Sequence, residues 1–281
     1  MVDARDLKSL VLFRTCRFDS GSRHPFRDIE KCPPAGGFFL SFQRGGILFK
    51  ACIFDMDGVI ADSEPIHCLS EQQVLEPFGI TPTMEELQAN TGMGADVLLK
   101  RFIERYGLKT TLEDLLNRLR LSLEENFRNS VRPIPHALEL IRSLHASGMR
   151  LAIGSSSDRR LIDIVMAHFG IIPFFDAIVS GEDVPATKPA PDIFLEAARR
   201  LRCRPAECIV IEDSRNGVLA AKQAGMTCIG YVSPNSRNQD LSLADCIVDH
   251  LAGLDRQMLS KLAESSLRTA VSKAGGPDTP G

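Results

Sequence analysis

Phe49-Lys50-Ala51-Cys52-Ile53-Phe54-Asp55-Met56-Asp57-Gly58 decides how the rest of the chain is read. Ala51 to Phe54 is an unbroken apolar run, the pattern of a strand covered on both faces. Two carboxylates follow, two residues apart, and Gly58 permits a sharp change of direction. Aspartate is disfavoured inside strands and favoured at their ends and in turns. The stretch therefore predicts a central strand with Asp55 and Asp57 at its carboxyl end, the edge at which open α/β sheets bind ligands. Two like charges this close require a cation, a proton or separation. Taken alone, the pair reads equally well as a solvated turn. A calcium loop fails on spacing. It needs a third oxygen ligand at position five and glycine at six, and Gly58 sits at position four.

Outward from this stretch the chain alternates. Leu151–Ile153, Ala177–Val179, Cys208–Ile211, Thr227–Tyr231 and Cys246–Val248 read as further strands. Between them lie helical patterns at Ala137–Ala146, Leu161–Phe169, Pro191–Leu201 and Val218–Ala224. Single helices between strands predict βαβ units and an α/β fold, a doubly wound, mostly parallel sheet. From Pro65 to about Ser130 the periodicity is helical throughout, with segments at 66–78, 84–89, 97–106 and 112–127. That block reads as an all-helical insertion after the first strand. The expected organisation is an α/β core at 48–64 and 132–255, a helical domain at 65–131, and a polar tail at 256–281. Residues 1–47, with Cys32-Pro33-Pro34-Ala35-Gly36-Gly37 as loop chemistry, read as a poorly ordered extension or as the product of a start codon placed too early.

Composition narrows the class. The chain of 281 residues is 44% apolar, ample for a sizeable core, and 33 basic against 36 acidic residues leave a net charge of 33 − 36 = −3. This mild acidity gives no footprint for nucleic acid or an anionic membrane. No apolar run approaches the ~20 residues of a membrane span, and Leu10–Phe13 is too short for a signal-peptide core. The eight cysteines form no C-x-x-C pair, so zinc and thioredoxin chemistry lack support. Cys52, Cys208 and Cys228 lie in apolar strand-like runs, and a reduced, cytoplasmic monomer is expected.

Each informative polar cluster follows a predicted strand. Asp55 and Asp57 follow the first, Ser155 the second, Lys188 the third, and Glu212 and Asp213 the fourth. In a doubly wound sheet all four ends share one edge. Carboxylates, a hydroxyl and a lysine in one crevice suit phosphoryl transfer. Carboxylates can hold Mg²⁺, act as nucleophile, and move protons. A lysine and a hydroxyl can orient the phosphoryl oxygens. Separately, Ser155 reads as a helix cap, Lys188 as a solvated charge and Glu212-Asp213 as an acidic helix start. Ser155-Ser156-Ser157 lacks the G-x-S-x-G elbow of serine hydrolases.

Asp55-Met56-Asp57-Gly58-Val59, Ser155, Lys188-Pro189-Ala190-Pro191-Asp192 and Ile211-Glu212-Asp213-Ser214 stand in the order and context of the haloacid dehalogenase-like phosphatases, which the chain resembles from about Phe49 to about Asp249. The helical insertion looks like the small cap domain of one subgroup. The resemblance implies Asp55 as nucleophile, Asp57 as general acid/base, and Ser155 and Lys188 as phosphoryl holders. It implies Mg²⁺ on the Asp55 side chain, the Asp57 carbonyl and Asp213, with Glu212 as a direct or outer partner. The similar subgroup contains sugar-phosphate phosphatases and β-phosphoglucomutases. Asp55 to His67 spans 67 − 55 = 12 residues, the mutase spacing to a histidine that sets the acid/base residue, although His67 alone reads as a helix-face residue. The mutase's cap cations have no counterpart at Ala95 or Leu123, which favours a phosphatase. The expected substrate is a small phosphorylated metabolite, with Glu64, His67, Gly92, Gly94 and Ser156 lining it. A phosphomutase and a catalytically silent metal-binding module are the alternatives.

Overall fold

The computed structural model describes residues 49–83, 86–87, 94–235, 239–259 and 261. The N-terminal extension, Gly92, most of the helix expected at 84–89 and nearly all of the tail lie outside the described residues.

Strand β1 (Ala51–Phe54) is buried at every position. After the short β2 (Ala61–Asp62) and β3 (Arg132–Pro133) come β4 (Arg150–Gly154), β5 (Ala177–Val179), β6 (Cys208–Glu212), β7 (Thr227–Tyr231) and β8 (Cys246–Val248). The main sheet has the order β5-β4-β1-β6-β7-β8, and every pairing in it is parallel. All the carboxyl ends therefore lie on one edge, and the winding reverses around β1. Side chains alternate faithfully. Cys52 and Phe54 join Leu151, Ile153, Ile209 and Ile211 in one layer. Ala51 and Ile53 join Ala152 and Val210 in the other.

Helices α1 (Glu64–Leu75), α2 (Ala95–Tyr106) and α3 (Leu112–Ser130) lie between β2 and β3. Helices α4 (Ala137–Ala146) and α5 (Arg159–Phe169) cover the first layer with Ile141, Leu144, Val165 and Met166. Helices α6 (Asp192–Arg200) and α7 (Arg215–Gln223) cover the second with Ile193, Phe194, Val218 and Ala221. Full burial of one side chain such as Phe194 contributes on the order of 2–3 kcal/mol.

Two helices start where polar caps put them, not where apolar periodicity begins. Ser214 Oγ accepts from Gly217 N at 3.0 Å, so α7 begins at Arg215 instead of Val218. Thr111 does the same for α3 through Asp114 N at 3.1 Å. Helix α3 also runs past Phe127 to Ser130 through solvated residues, and Val131 is already extended ahead of Pro133.

Strands β2 and β3 pair antiparallel, Ala61 with Pro133 and Asp62 with Arg132. Two-residue strands leave no periodic signal, and the sequence pattern did not disclose them. They matter because the chain enters and leaves the helical insertion through this ribbon. Inside the insertion Leu99, Phe102, Leu115, Leu119 and Phe127 are buried. Asn126, also buried, donates to Ser70 Oγ at 2.8 Å and Gln73 Oε1 at 2.9 Å, tying α3 to α1. The described cysteines, Cys52, Cys68, Cys203, Cys208, Cys228 and Cys246, are free thiols. Among the described residues no helix is long and apolar enough to cross a membrane.

Candidate active site

Asp55 N continues the β1–β6 ladder by donating to Ile211 O at 3.0 Å, which holds the Asp55 carboxyl at the sheet edge. From the loop beyond β5, Lys188 Nζ reaches Asp55 Oδ1 at 2.5 Å and Glu212 Oε1 at 2.7 Å. It also stands 5.0 Å from the centre of the Phe194 ring. Glu212 is fully buried, and its other oxygen accepts from Ser214 N at 2.7 Å and Ser214 Oγ at 2.9 Å. Both Glu212 oxygens are thus engaged within the protein.

Two glycines make room for these acids. Gly58 has φ +76°, and a Cβ there would lie 1.9 Å from Asp213 Oδ2. A Cβ at Gly217 would lie 1.6 Å from Glu212 Oε1. Side chains at either position would collide with a carboxylate.

Asp57 is held differently. Its Oδ2 accepts from Ser157 Oγ at 2.6 Å, and His67 Nε2 stands 3.7 Å from Oδ1, an ion-pair distance too long for a hydrogen bond. Oδ1 is buried without a hydrogen-bond partner. His67 packs edge-on against Phe127 of α3, with ring centres 5.7 Å apart.

The two aspartates are pushed apart electrostatically. Burial raises Asp55 to about 7, with Glu212 and Asp57 adding and Lys188 opposing. Burial would also raise Asp57, but His67 and the Ser157 and Ser63 hydroxyls outweigh it and bring Asp57 to about 2. Burial disfavours the Lys188 ammonium, yet Asp55 and Glu212 more than compensate and hold it above its usual range. In the same way Asp57 raises His67 against its burial.

Asp55, Glu212 and Asp213 each present a carboxylate oxygen within 4.8 Å of the others, and all three are buried. An all-oxygen donor set suits a hard divalent cation. Burial is the main reason Asp55 is high, with Glu212 and Asp57 adding to it, and a cation on its carboxylate would favour the ionised form. Asp55, Asp213 and Glu212 are the side chains that could hold the ion, Glu212 through the lone pairs that Lys188 and Ser214 leave it.

Residues 52–231 match the haloacid dehalogenase-like hydrolase family. The chain belongs to this family. The "Probable pseudouridine-5'-phosphatase" of Drosophila melanogaster is 33% identical over 207 residues, 72% of this chain and 89% of the relative. "Fructose-1-phosphate phosphatase YqaB" of Escherichia coli (strain K12) is 32% identical over 182 residues, 64% of this chain and 95% of the relative. The crystal structure of CbbY from Rhodobacter sphaeroides in complex with phosphate matches with a TM-score of 0.66 at 26% identity, covering 73% of this chain and 96% of that one.

Within this haloacid dehalogenase-like hydrolase, the other residues singled out from sequence are placed unevenly. Ser155 is buried, and its Oγ accepts from Ser157 N at 3.1 Å. Ser156 is exposed. Glu64 opens α1 and takes the Cys68 thiol at 4.0 Å. Gly94 is the exposed N-cap of α2, close to Asp96. Sequence reasoning passed over Ser157 and Gly217, and noted Ser63 only as standing where the mutase has a hydroxyl residue. Ser157 carried a signal, as the third member of a serine run after a strand. Gly217 carried none, because only the folded chain brings it to Glu212.

Proposed function

We propose that this hydrolase is a Mg²⁺-dependent phosphatase acting on a small phosphorylated metabolite, a sugar phosphate, through an aspartyl-phosphate intermediate. One observation carries the proposal: Lys188, Asp55 and Glu212 form a buried charged unit at the sheet edge, with Asp57 two residues beyond Asp55. The two relatives, each named a phosphatase, support the same class.

An Asp55 oxygen attacks phosphorus, and the bond to the leaving oxygen breaks. Asp57 supplies the proton that the leaving oxygen takes up. Asp57 then removes a proton from water, whose oxygen attacks the phosphoryl group and frees Asp55 with release of inorganic phosphate. Asp57 is ionised in the resting protein. Arrival of an anionic phosphoryl group raises its proton affinity, because a neighbouring negative charge disfavours the carboxylate, and Asp57 takes the proton it will give from water or from a phosphoryl hydroxyl of the substrate as it binds. Ser155 and Lys188 orient phosphoryl oxygens, and Glu212, with both oxygens engaged, positions Lys188. A divalent cation on Asp55 and Asp213 would supply charge neutralisation for the phosphoryl oxygens, and magnesium suits carboxylate donors that leave room for water and phosphate.

A phosphatase is favoured over a phosphomutase because the insertion offers no cation for a second phosphate at Ala95 or Leu123. Ala95 is apolar, and Leu123 is buried in the insertion's interior. Phosphate release from a panel of sugar phosphates, with Mg²⁺ and with EDTA, tests the proposal. Metal-dependent release is expected, reduced at least about 10³-fold in Asp55→Asn. Full turnover in Asp55→Asn would overturn it. Hexose phosphate interconversion without net release would establish the mutase instead.

A further inference from the structure

A second ionic cluster lies across the contact between α3 of the insertion and α5 of the core. Its centre is Glu124, a carboxylate with 3% exposure. Glu124 Oε2 stands 2.8 Å from Arg160 Nε, in the first turn of α5, and 3.2 Å from Arg128 Nη2, one turn along its own helix. Glu124 Oε1 lies 3.8 Å from Arg120 Nη1 and has no hydrogen-bond partner. The three arginine side chains are all half exposed or more, at 63%, 50% and 50% for Arg160, Arg128 and Arg120. Asp158, the cap residue of α5, belongs to the same junction. Its carboxyl is raised by burial first, then by Glu182, and it also feels Arg120 and Glu124.

This junction adjoins the candidate active site. Helix α5 follows directly on the loop whose Ser157 donates to Asp57. Phe127, one turn beyond Leu123 on α3, packs on His67. The chain passes between core and insertion through the slender β2–β3 ribbon. A body joined by such a ribbon needs further contacts to hold its position.

The arginines divide by what they travel with. Arg120 and Arg128 are on α3 with Glu124, so they accompany it in any position of the insertion. Arg160 belongs to the core. Glu124 thus keeps cationic neighbours on its own helix when the insertion moves away, and water reaches what Arg160 gives up. Opening then exposes no uncompensated buried charge, which is the usual large cost of breaking a buried pair. Such a contact favours one position yet can be released.

We propose that Glu124 and Arg160 form a releasable ionic latch that fastens the helical insertion over the candidate active site. The latch does not depend on the phosphatase assignment, and its test uses no substrate.

Hydrogen exchange of the full-length protein, followed by mass spectrometry, tests it at low and high salt. In Arg160→Ala, amides of the β2–β3 ribbon and of the first turn of α5 should exchange about five- to tenfold faster at low salt, with an unchanged thermal midpoint for the core. Glu124→Gln should give the same increase, and the double variant no more, because both remove one interaction. High salt should bring the wild type toward the variants. Arg128→Ala, which removes a pair within α3, should exchange like the wild type. Wild-type exchange in Arg160→Ala, or an equal increase in Arg128→Ala, would overturn the latch. Should Arg160→Ala fold poorly, Arg160→Gln, which keeps the stem and removes the charge, decides: fast exchange at low salt supports the latch, and wild-type exchange with a folded core overturns it.

Discussion

The sheet edge and the helical insertion handle charge in opposite ways. At the edge, Lys188, Asp55 and Glu212 are nearly inaccessible, with side-chain exposures of 6%, 8% and 0%. On the insertion one buried acid, Glu124, the only nearly inaccessible one among its described residues, is surrounded by arginines that remain largely in water. Buried ions must be matched atom for atom, because an unpaired charge there costs several kcal/mol. At the junction only the arginines are solvated, so losing Arg160 leaves Glu124 its cations Arg120 and Arg128 and returns the Arg160 charge to water. The edge is therefore rigid and suited to chemistry, and the junction is suited to movement.

The largest expected effect breaks the edge. Lys188→Met leaves Asp55 and Glu212 buried without their cation. Stability without metal should fall by about 3 kcal/mol, and added Mg²⁺ should recover more of it than in the wild type. Denaturant melts with and without metal measure both.

Next comes a pair of glycines, one in each region. Gly58 has φ +76° with Asp213 Oδ2 1.9 Å from a built Cβ, whereas Gly79 of the insertion has φ +72° with nothing within 4 Å. Both alanine variants carry about 1–2 kcal/mol of left-handed strain. Only Gly58→Ala should also weaken metal binding, by about 10- to 100-fold in a calorimetric titration. Equal metal affinity in the two variants would remove the distinction.

Ser157→Ala has a smaller effect. The hydroxyl favours the ionised form of Asp57, so its loss raises the Asp57 proton affinity. Because Asp57 must carry its proton to serve the leaving oxygen, the basic limb of the kcat/KM profile should move to higher pH by roughly 0.5–1 pH unit, the worth of one hydrogen bond.

The smallest effect sits on α1 of the insertion. Burial, with Glu64 adding and His67 opposing, raises the Glu71 carboxyl from 4.5 to about 7. A raised acid favours the folded state when protonated. That contribution is complete below about 4.5 and is lost as pH rises through 7. Glu71→Gln, always neutral, should match the wild type near pH 4 and exceed it by about 1 kcal/mol near pH 8, after allowance for partial exposure. Melting curves at the two pH values check the sign.

Much of this molecule was legible before it was folded. Residues 51–58 show apolar burial ending in paired acids, and that pattern places β1 at the centre of a parallel sheet. Asp55, Lys188, Glu212 and Asp213 come together because parallel strands bring their carboxyl ends to one edge. Helix limits were less legible, since α7 starts at its Ser214 cap and not at its first apolar residue. The β2–β3 ribbon was invisible, being too short to show a period.

By itself, then, the sequence determined the layers, the parallel edge and the acids that crowd it, because these follow from local pattern and from chain direction. Only the tertiary structure decided how each acid is held. Glu212 is bound by Lys188 and Ser214, Asp57 by Ser157, and Glu124 by Arg160 across 160 − 124 = 36 residues. A hydrogen bond depends on ångström distances between side chains that chain order does not specify. The same residue types are a solvated face when apart and a working unit when packed.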